Sequence, residues 1–147
     1  MALEVLQRVR GELPAVPDAV LELTGASSLA GAVTAGDVDL HLRVPPEHFT
    51  STVEALRGRY AVVHPEIWCA TLAAFAVPEV EGVEVGLAVT PIDSVHDRHF
   101  RVAWERLRGD PEALAAYNAM KIRYADADSA TYDAAKAAFF TEVTSSE

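Results

Sequence analysis

The sequence predicts an α/β (α+β) fold in which a small mixed β-sheet comes first and a helical part follows. Three observations carry this. Asp37 to Val44 alternates strictly, with Val, Leu, Leu and Val at positions 38, 40, 42 and 44. That is the period-2 signature of a strand with one buried face. Val83 to Thr90 repeats the pattern through Val83, Val85, Leu87 and Val89. From Pro91 onward the signals turn helical. Asp110-Pro111-Glu112 sets a capping carboxylate before a proline at the first helical position.

The elements follow in order. Ala2 to Leu13 carries an apolar stripe at Leu3, Val5, Leu6 and Val9, and Pro14 and Pro17 end it. This start has the pattern of a folded helix and not of a secretory signal. Val20 to Thr24 reads as a strand with Leu21 and Leu23 on one face. A loop of small residues, Gly25 to Gly31, leads through a short helix or turn to Gly36 and the alternating strand. Pro45-Pro46 stops that strand, and Glu47 to Arg57 is a helix with Phe49, Val53 and Leu56 inward. Tyr60 to His64 is a short strand. Glu66 to Val77 reads as a strand that bends or a hairpin arm, and Pro78 to Gly82 as a turn. A helix capped by Asp93 or Ser94 reaches Arg108, a second runs to about Tyr124, and a third ends near Val143. No repeat, low-complexity tract or linker divides the chain.

The 147 residues amount to one domain at the usual ~100–200 residues per domain. Half are hydrophobic and 23% charged, enough apolar content for a real core. Lys and Arg number 12 against 22 Asp and Glu, a net charge of −10 and a pI near 4.9. That balance disfavours a general nucleic-acid surface. No run approaches the ~18 apolar residues of a membrane span. Cys69 is the one cysteine, so no intrachain disulfide forms. Its apolar neighbours predict buried packing. The expected location is the cytoplasm, and a protein partner is possible.

The chemistry concentrates between Leu23 and Leu40. A strand enters the Gly25–Gly31 loop, and the next strand presents Asp37 and Asp39 two positions apart. Period 2 puts both carboxylates on one face, with Cα atoms roughly 6–7 Å apart. Carboxylates so spaced can share a divalent ion, or a pair of ions ~3.5–4 Å apart. Gly25, Ser27 and Ser28 offer backbone N–H groups and hydroxyls to a phosphate. Loop and paired acids together suit metal-assisted phosphoryl or nucleotidyl transfer. The same spacing also occurs on any solvated strand face.

Other residues are read both ways. His41 shares the acidic face, as a ligand, a proton shuttle or a structural histidine. Arg43 continues that face and can pair with an acid at its rim. His96, Arg98, His99 and Arg101 form a basic cluster, able to meet triphosphate charge or to make surface ion pairs. Lys121 and Lys136 either line a cleft or bind helix C-terminal carbonyls and acids. Trp68 and Trp104 read as core, and Tyr117, Tyr132, Phe139 and Phe140 as helix–helix packing.

Gly25-Ala-Ser-Ser-Leu-Ala-Gly31 followed by Asp37-Val-Asp39-Leu40 is similar to the signature of the nucleotidyltransferase superfamily. More narrowly, the chain resembles the GrpB family of that superfamily. The resemblance extends through Leu107-Arg108, Asp110-Pro111-Glu112-Ala113, Tyr117, Lys121, Tyr132, Lys136 and Phe139, covering roughly residues 20 to 143. There are departures. Ala26 and Ala30 stand where the family has Ser and Pro, and Ala35-Gly36 where it has Lys-Pro. Asp37 stands where the family often has Ile, which restores a paired-carboxylate pattern.

The resemblance implies a nucleotidyltransferase-like fold and Mg²⁺- or Mn²⁺-dependent transfer from a nucleoside triphosphate to a small acceptor. Ser27 and the loop amides would hold phosphates, and Asp37 and Asp39 would hold metal. A third acid usually sits on a neighbouring strand and acts as general base. Glu84 is the candidate, either as that ligand or as a solvent-facing residue, while Gly86 occupies the other plausible register. Fusion of family members to a coenzyme-A kinase implies the alternative of a non-catalytic nucleotide- or protein-binding module. Metal-assisted reaction on another small metabolite is the third option.

Overall fold

The computed structural model describes residues 2–25, 28–29, 37–80 and 82–145. Ser27 and most of the Gly25–Gly31 loop lie outside them. The elements are α1 (Ala2–Glu12), β1 (Val20–Thr24), β2 (Val38–Val44), α2 (Phe49–Arg57), β3 (Ala61–Val62), β4 (Ala73–Val80), β5 (Val83–Pro91), α3 (Val95–Gly109), α4 (Pro111–Arg123) and α5 (Ser129–Ser145). The strands form a five-stranded mixed sheet ordered β1-β2-β5-β4-β3. β2 and β5 run parallel at its centre, and the other pairs are antiparallel. The fold is α+β, as the sequence predicts.

The alternating strands explain the layering. Val38, Leu40, Leu42 and Val44 of β2 join Val85, Leu87 and Val89 of β5 and Phe75 of β4 on one sheet face. Val5 and Val9 of α1 and Phe49, Val53 and Leu56 of α2 complete this core. Each such side chain gains roughly 1.5–3 kcal/mol from full burial. A second, smaller core lies among α3, α4 and α5, where Leu107 and Tyr117 pack with Trp104, Phe139 and Phe140. Trp68 packs against the first core and Trp104 against the second, both as expected.

Two boundaries and the burial of one residue differ from the sequence reading. The turn expected at Pro78 to Gly82 is narrower, because β4 continues through Pro78 to Val80 with a register shift after Val77. Proline is tolerated at such an irregularity, where no ladder N–H is required. Glu66 to Val77 divides into a 3₁₀ turn at Pro65–Ile67, a tight Cys69–Leu72 bridge and the start of β4. Cys69 is exposed at that tight turn, and not buried. Chain reversal there overrides the apolar character of its neighbours.

The second sheet face carries Asp39, His41 and Arg43 of β2 beside Gly86, Ala88 and Thr90 of β5. It is held to α3 by a polar cluster. Arg43 Nε and Nη2 donate to the two carboxylate oxygens of Asp97 at 2.7 and 3.1 Å. Asp97 is fully buried in the first turn of α3. It also accepts the Asp93 backbone N–H at 2.7 Å, while its own N–H donates to the Ser94 capping hydroxyl at 3.3 Å. Burial alone would raise the Asp97 pKa, but the bonds from Arg43 and the Asp93 amide hold it below the usual carboxylate value. Beside this pair, His41 Nε2 lies 2.8 Å from Thr90 Oγ1, and Phe100 packs edge-on over the imidazole at 5.2 Å. Among the described residues, no helix is long and apolar enough to cross a membrane.

Removing Asp97 strands a largely buried guanidinium, so Asp97→Ala is expected to cost about 3 kcal/mol. Urea unfolding checks this, and a loss under about 1 kcal/mol would show that the pair does not anchor α3. His41 gives a pH signature. Burial lowers its pKa from 6.5 to about 4, with Asp97 opposing and Arg43 and Arg101 adding to the shift. Between those values the unfolded chain binds the proton and the folded one does not. Stability therefore falls as pH drops through this window, by about 3 kcal/mol in total. His41→Gln should flatten that slope; an unchanged slope in the variant would assign it elsewhere.

Candidate functional site

A cleft of about 630 Å³ opens between the second sheet face and the helices α3 and α5. Thr24 and Gly25 close the β1 end, and Asp39, Gly86 and Ala88 form the floor. Phe100 and Trp104 of α3 and Lys136 and Phe140 of α5 face them.

Asp39 is the best-defined polar group of the cleft. It pairs with Thr24 on β1 and with Gly86 on β5. Its carboxylate is seated between two glycines. A Cβ on Gly25 would lie 2.5 Å from Oδ2, and one on Gly86 would lie 3.0 Å from Oδ1. Gly25 also has φ +70°, a left-handed conformation strained for any other residue. Its carbonyl accepts the Ser28 hydroxyl at 2.7 Å and the Ser28 N–H at 3.1 Å. The Ser28 side chain thus supports the loop backbone here. Burial and then the neighbouring Asp37 raise the Asp39 pKa, while Lys136 and Lys121 pull it back.

Helices α4 and α5 bring the cations and hydroxyls. Lys136 lines the cleft, and Lys121 lies near enough to feel it, with Asp37 and Asp39. Burial and the Lys136 charge lower the Lys121 pKa, and the two aspartates oppose this. Lys121 Nζ also sits 5.3 Å from the Tyr117 ring centroid. Burial raises the pKa of Tyr117, and Tyr132 and the two aspartates add to it. Tyr132 is raised by burial and then by Asp37. Both phenols therefore remain protonated near the acids, able to donate hydrogen bonds. Tyr117 belongs to the helical core as expected, whereas Tyr132 stands half-buried toward the acidic end.

The remaining expected site residues are dispersed, some on the cleft lining and some away from it. Glu84 is exposed and does not line the cleft, since the β5 position paired with Asp39 is Gly86. Among the described residues, no group of three or more His, Cys, Asp or Glu is placed to hold a metal ion. His41 also lines the cleft, beside Ala88 of its floor, but it is only 3% exposed and engaged with Thr90. Arg43 pairs with Asp97 and, at 3.3 Å, with Glu22, as its rim position suggested. Of the basic cluster, His99 lines the cleft and Arg98 does not. Arg101 points to Asp93 and Asp97, at 3.6 and 3.7 Å. One helix presents these residues in different directions, so proximity in sequence did not place them in one site.

Sequence reasoning missed Asp133 and His64, which both line the cleft. Asp133 was findable, because it precedes Lys136 by three residues and so shares its helix face. His64 carried no signal; it reaches the cleft through a left-handed turn (φ 48°) after β3.

Two carboxylates suit a Mg²⁺ ion that keeps waters and takes phosphate oxygens as its other ligands, the usual way that ion is held. They do not make a closed cage. Asp39, desolvated and beside a like charge, gains from any cation placed between it and Asp37.

No family model and no curated protein matches this sequence. Among solved structures, the chain is similar to the conserved protein GrpB from Enterococcus faecalis, with a TM-score of 0.70 and 17% identity. The match covers 99% of this chain and 91% of that one. At that identity the likeness is one of fold, and the chain has the GrpB fold that its sequence resembles.

Proposed function

We propose that this protein binds a nucleoside triphosphate with a divalent cation in the cleft between the sheet and α3/α5. The observation that carries this reading is convergence: Asp39 of β2 and Lys136 of α5 line one cleft, and Asp37, exposed just before β2, and Lys121 of α4 lie within electrostatic reach of them. A magnesium or manganese ion bound with the nucleotide would neutralise phosphate charge there. Asp37 and Asp39 would hold that ion, and Lys136, with Lys121 beside it, would meet phosphate oxygens as a point charge. Tyr132 would donate its phenolic hydrogen to the same oxygens. The Gly25 backbone, which cannot carry a side chain beside Asp39, leaves the polyphosphate room to approach.

Nucleotidyl transfer to a small acceptor is the reaction that such a complex would support. It needs a base for the acceptor hydroxyl. Gly86 stands beside Asp39, in the register open to a third acid, and Glu84 faces outward, so neither strand position supplies one within the cleft. Asp133 is the carboxylate that lines the opposite wall. This inventory favours binding as the primary property.

Calorimetric titration with ATP, GTP, CTP and UTP should show Mg²⁺-dependent binding of at least one nucleotide. Asp39→Asn should weaken it at least tenfold, and Lys136→Ala by a comparable factor. No heat with any nucleotide, with or without metal, would refute the proposal. A second outcome concerns stability. Asp39 is held in surroundings that disfavour its charge, so Asp39→Asn should raise the melting temperature of the ligand-free protein. A gain of 1 kcal/mol corresponds to about 2–4 °C in a chain of this size. A lower melting temperature would mean that Asp39 serves the fold and not a ligand.

A further inference from the structure

The floor of the cleft is unusually low beyond Asp39. Gly86 and Ala88 of β5 and Ala74 of β4 line it, and Ala74 pairs directly with Ala88 across the strands. Side chains on a pleated sheet stand roughly perpendicular to it. Three of the smallest residues side by side therefore leave a broad, nearly flat apolar surface. The wall above is aromatic, formed by Phe100 and Trp104 of α3 and Phe140 of α5. Trp104 and Phe140 brace one another, with ring centroids 5.1 Å apart, and Tyr117 supports Trp104 from behind at 5.8 Å. The polar lining includes Asp39, Asp133 and Lys136, the nearly buried His41, and His64 and His99.

We infer that this part of the cleft is a slot for a flat heteroaromatic ring, and that the nucleobase of the bound nucleotide occupies it. A planar ring fits a small-residue floor on one face and aromatic side chains on the other, and stacking tolerates any base. His64 and His99 are able to hydrogen-bond the ring edge. The ring's orientation, with its phosphates toward Asp39, rests on the proposed nucleotide reading; the slot itself rests on Ala74, Gly86, Ala88 and the aromatic wall.

The test separates the two. Calorimetry with Mg²⁺ compares the four nucleoside triphosphates with inorganic tripolyphosphate, and the four free nucleosides are titrated alongside. The expected result is that at least one triphosphate binds tenfold or more tighter than tripolyphosphate. Ala88→Leu, which fills the slot, should bring that nucleotide down to the tripolyphosphate's own affinity. Equal affinity of every nucleotide and tripolyphosphate for the wild-type chain would overturn the slot and leave the acid-and-lysine site standing. Nucleoside binding that persists in Asp39→Asn, with no binding of tripolyphosphate, would uphold the slot and refute the phosphate end. If no ligand binds, both fall. The wild-type comparison decides the matter even where Ala88→Leu fails to fold.

Discussion

The bidentate pair between Arg43 and Asp97 joins the helical layer to the sheet, and the cleft exists because of it. Arg43 ends the polar face of the central strand β2, and Asp97 sits in the first turn of α3. Two short hydrogen bonds in parallel fix orientation as well as distance, which a lysine could not do. Asp97 simultaneously ties down the Asp93 amide, so the entry of the helix and its attachment to the sheet are one event. With α3 fixed at this end, His41 is roofed by Phe100, and the sheet face beyond Asp39 is left open beneath Trp104.

That arrangement divides the polar face of β2 into two kinds of residue. Arg43 and His41 lie at the anchored end and are structural. Their burial is tolerated because each has a partner, Asp97 for the cation and Thr90 for the imidazole. Asp39 lies at the open end, where burial and a second carboxylate disfavour its charge. One strand therefore carries a stabilised charge and a destabilised one four residues apart. The destabilised group is the one seated between glycines and faced by lysines. Strained electrostatics of this kind mark functional sites more often than structural ones.

The GrpB fold by itself does not assign an activity, since one fold hosts unrelated chemistries. The residues of this cleft narrow the choice. Paired aspartates near two lysines are the basis for the proposed phosphate-bearing ligand held with a cation. The small-residue floor under an aromatic wall points to a flat ring beside it. The two features adjoin at Gly86, which flanks Asp39 on one side and is followed by Ala88 on the floor.

The sequence by itself determined the element order, the alternation that buries one face of β2 and β5, and the pairing of Asp37 with Asp39. These rest on period-2 and helical periodicity and on caps such as Asp110, which are local properties of the chain. It also brought Lys121 and Lys136 into view through family resemblance. Tertiary structure decided the rest. Register placed Gly86, and not Glu84, beside Asp39, and strand register is a property of two segments that no single segment encodes. Helix rotation turned Arg101 toward Asp97 and His99 into the cleft, although both lie on one short stretch. Chain reversal exposed Cys69 despite apolar neighbours. The cleft itself, lined by residues of four strands and by two helices, arises only when the Arg43–Asp97 pair brings those layers together.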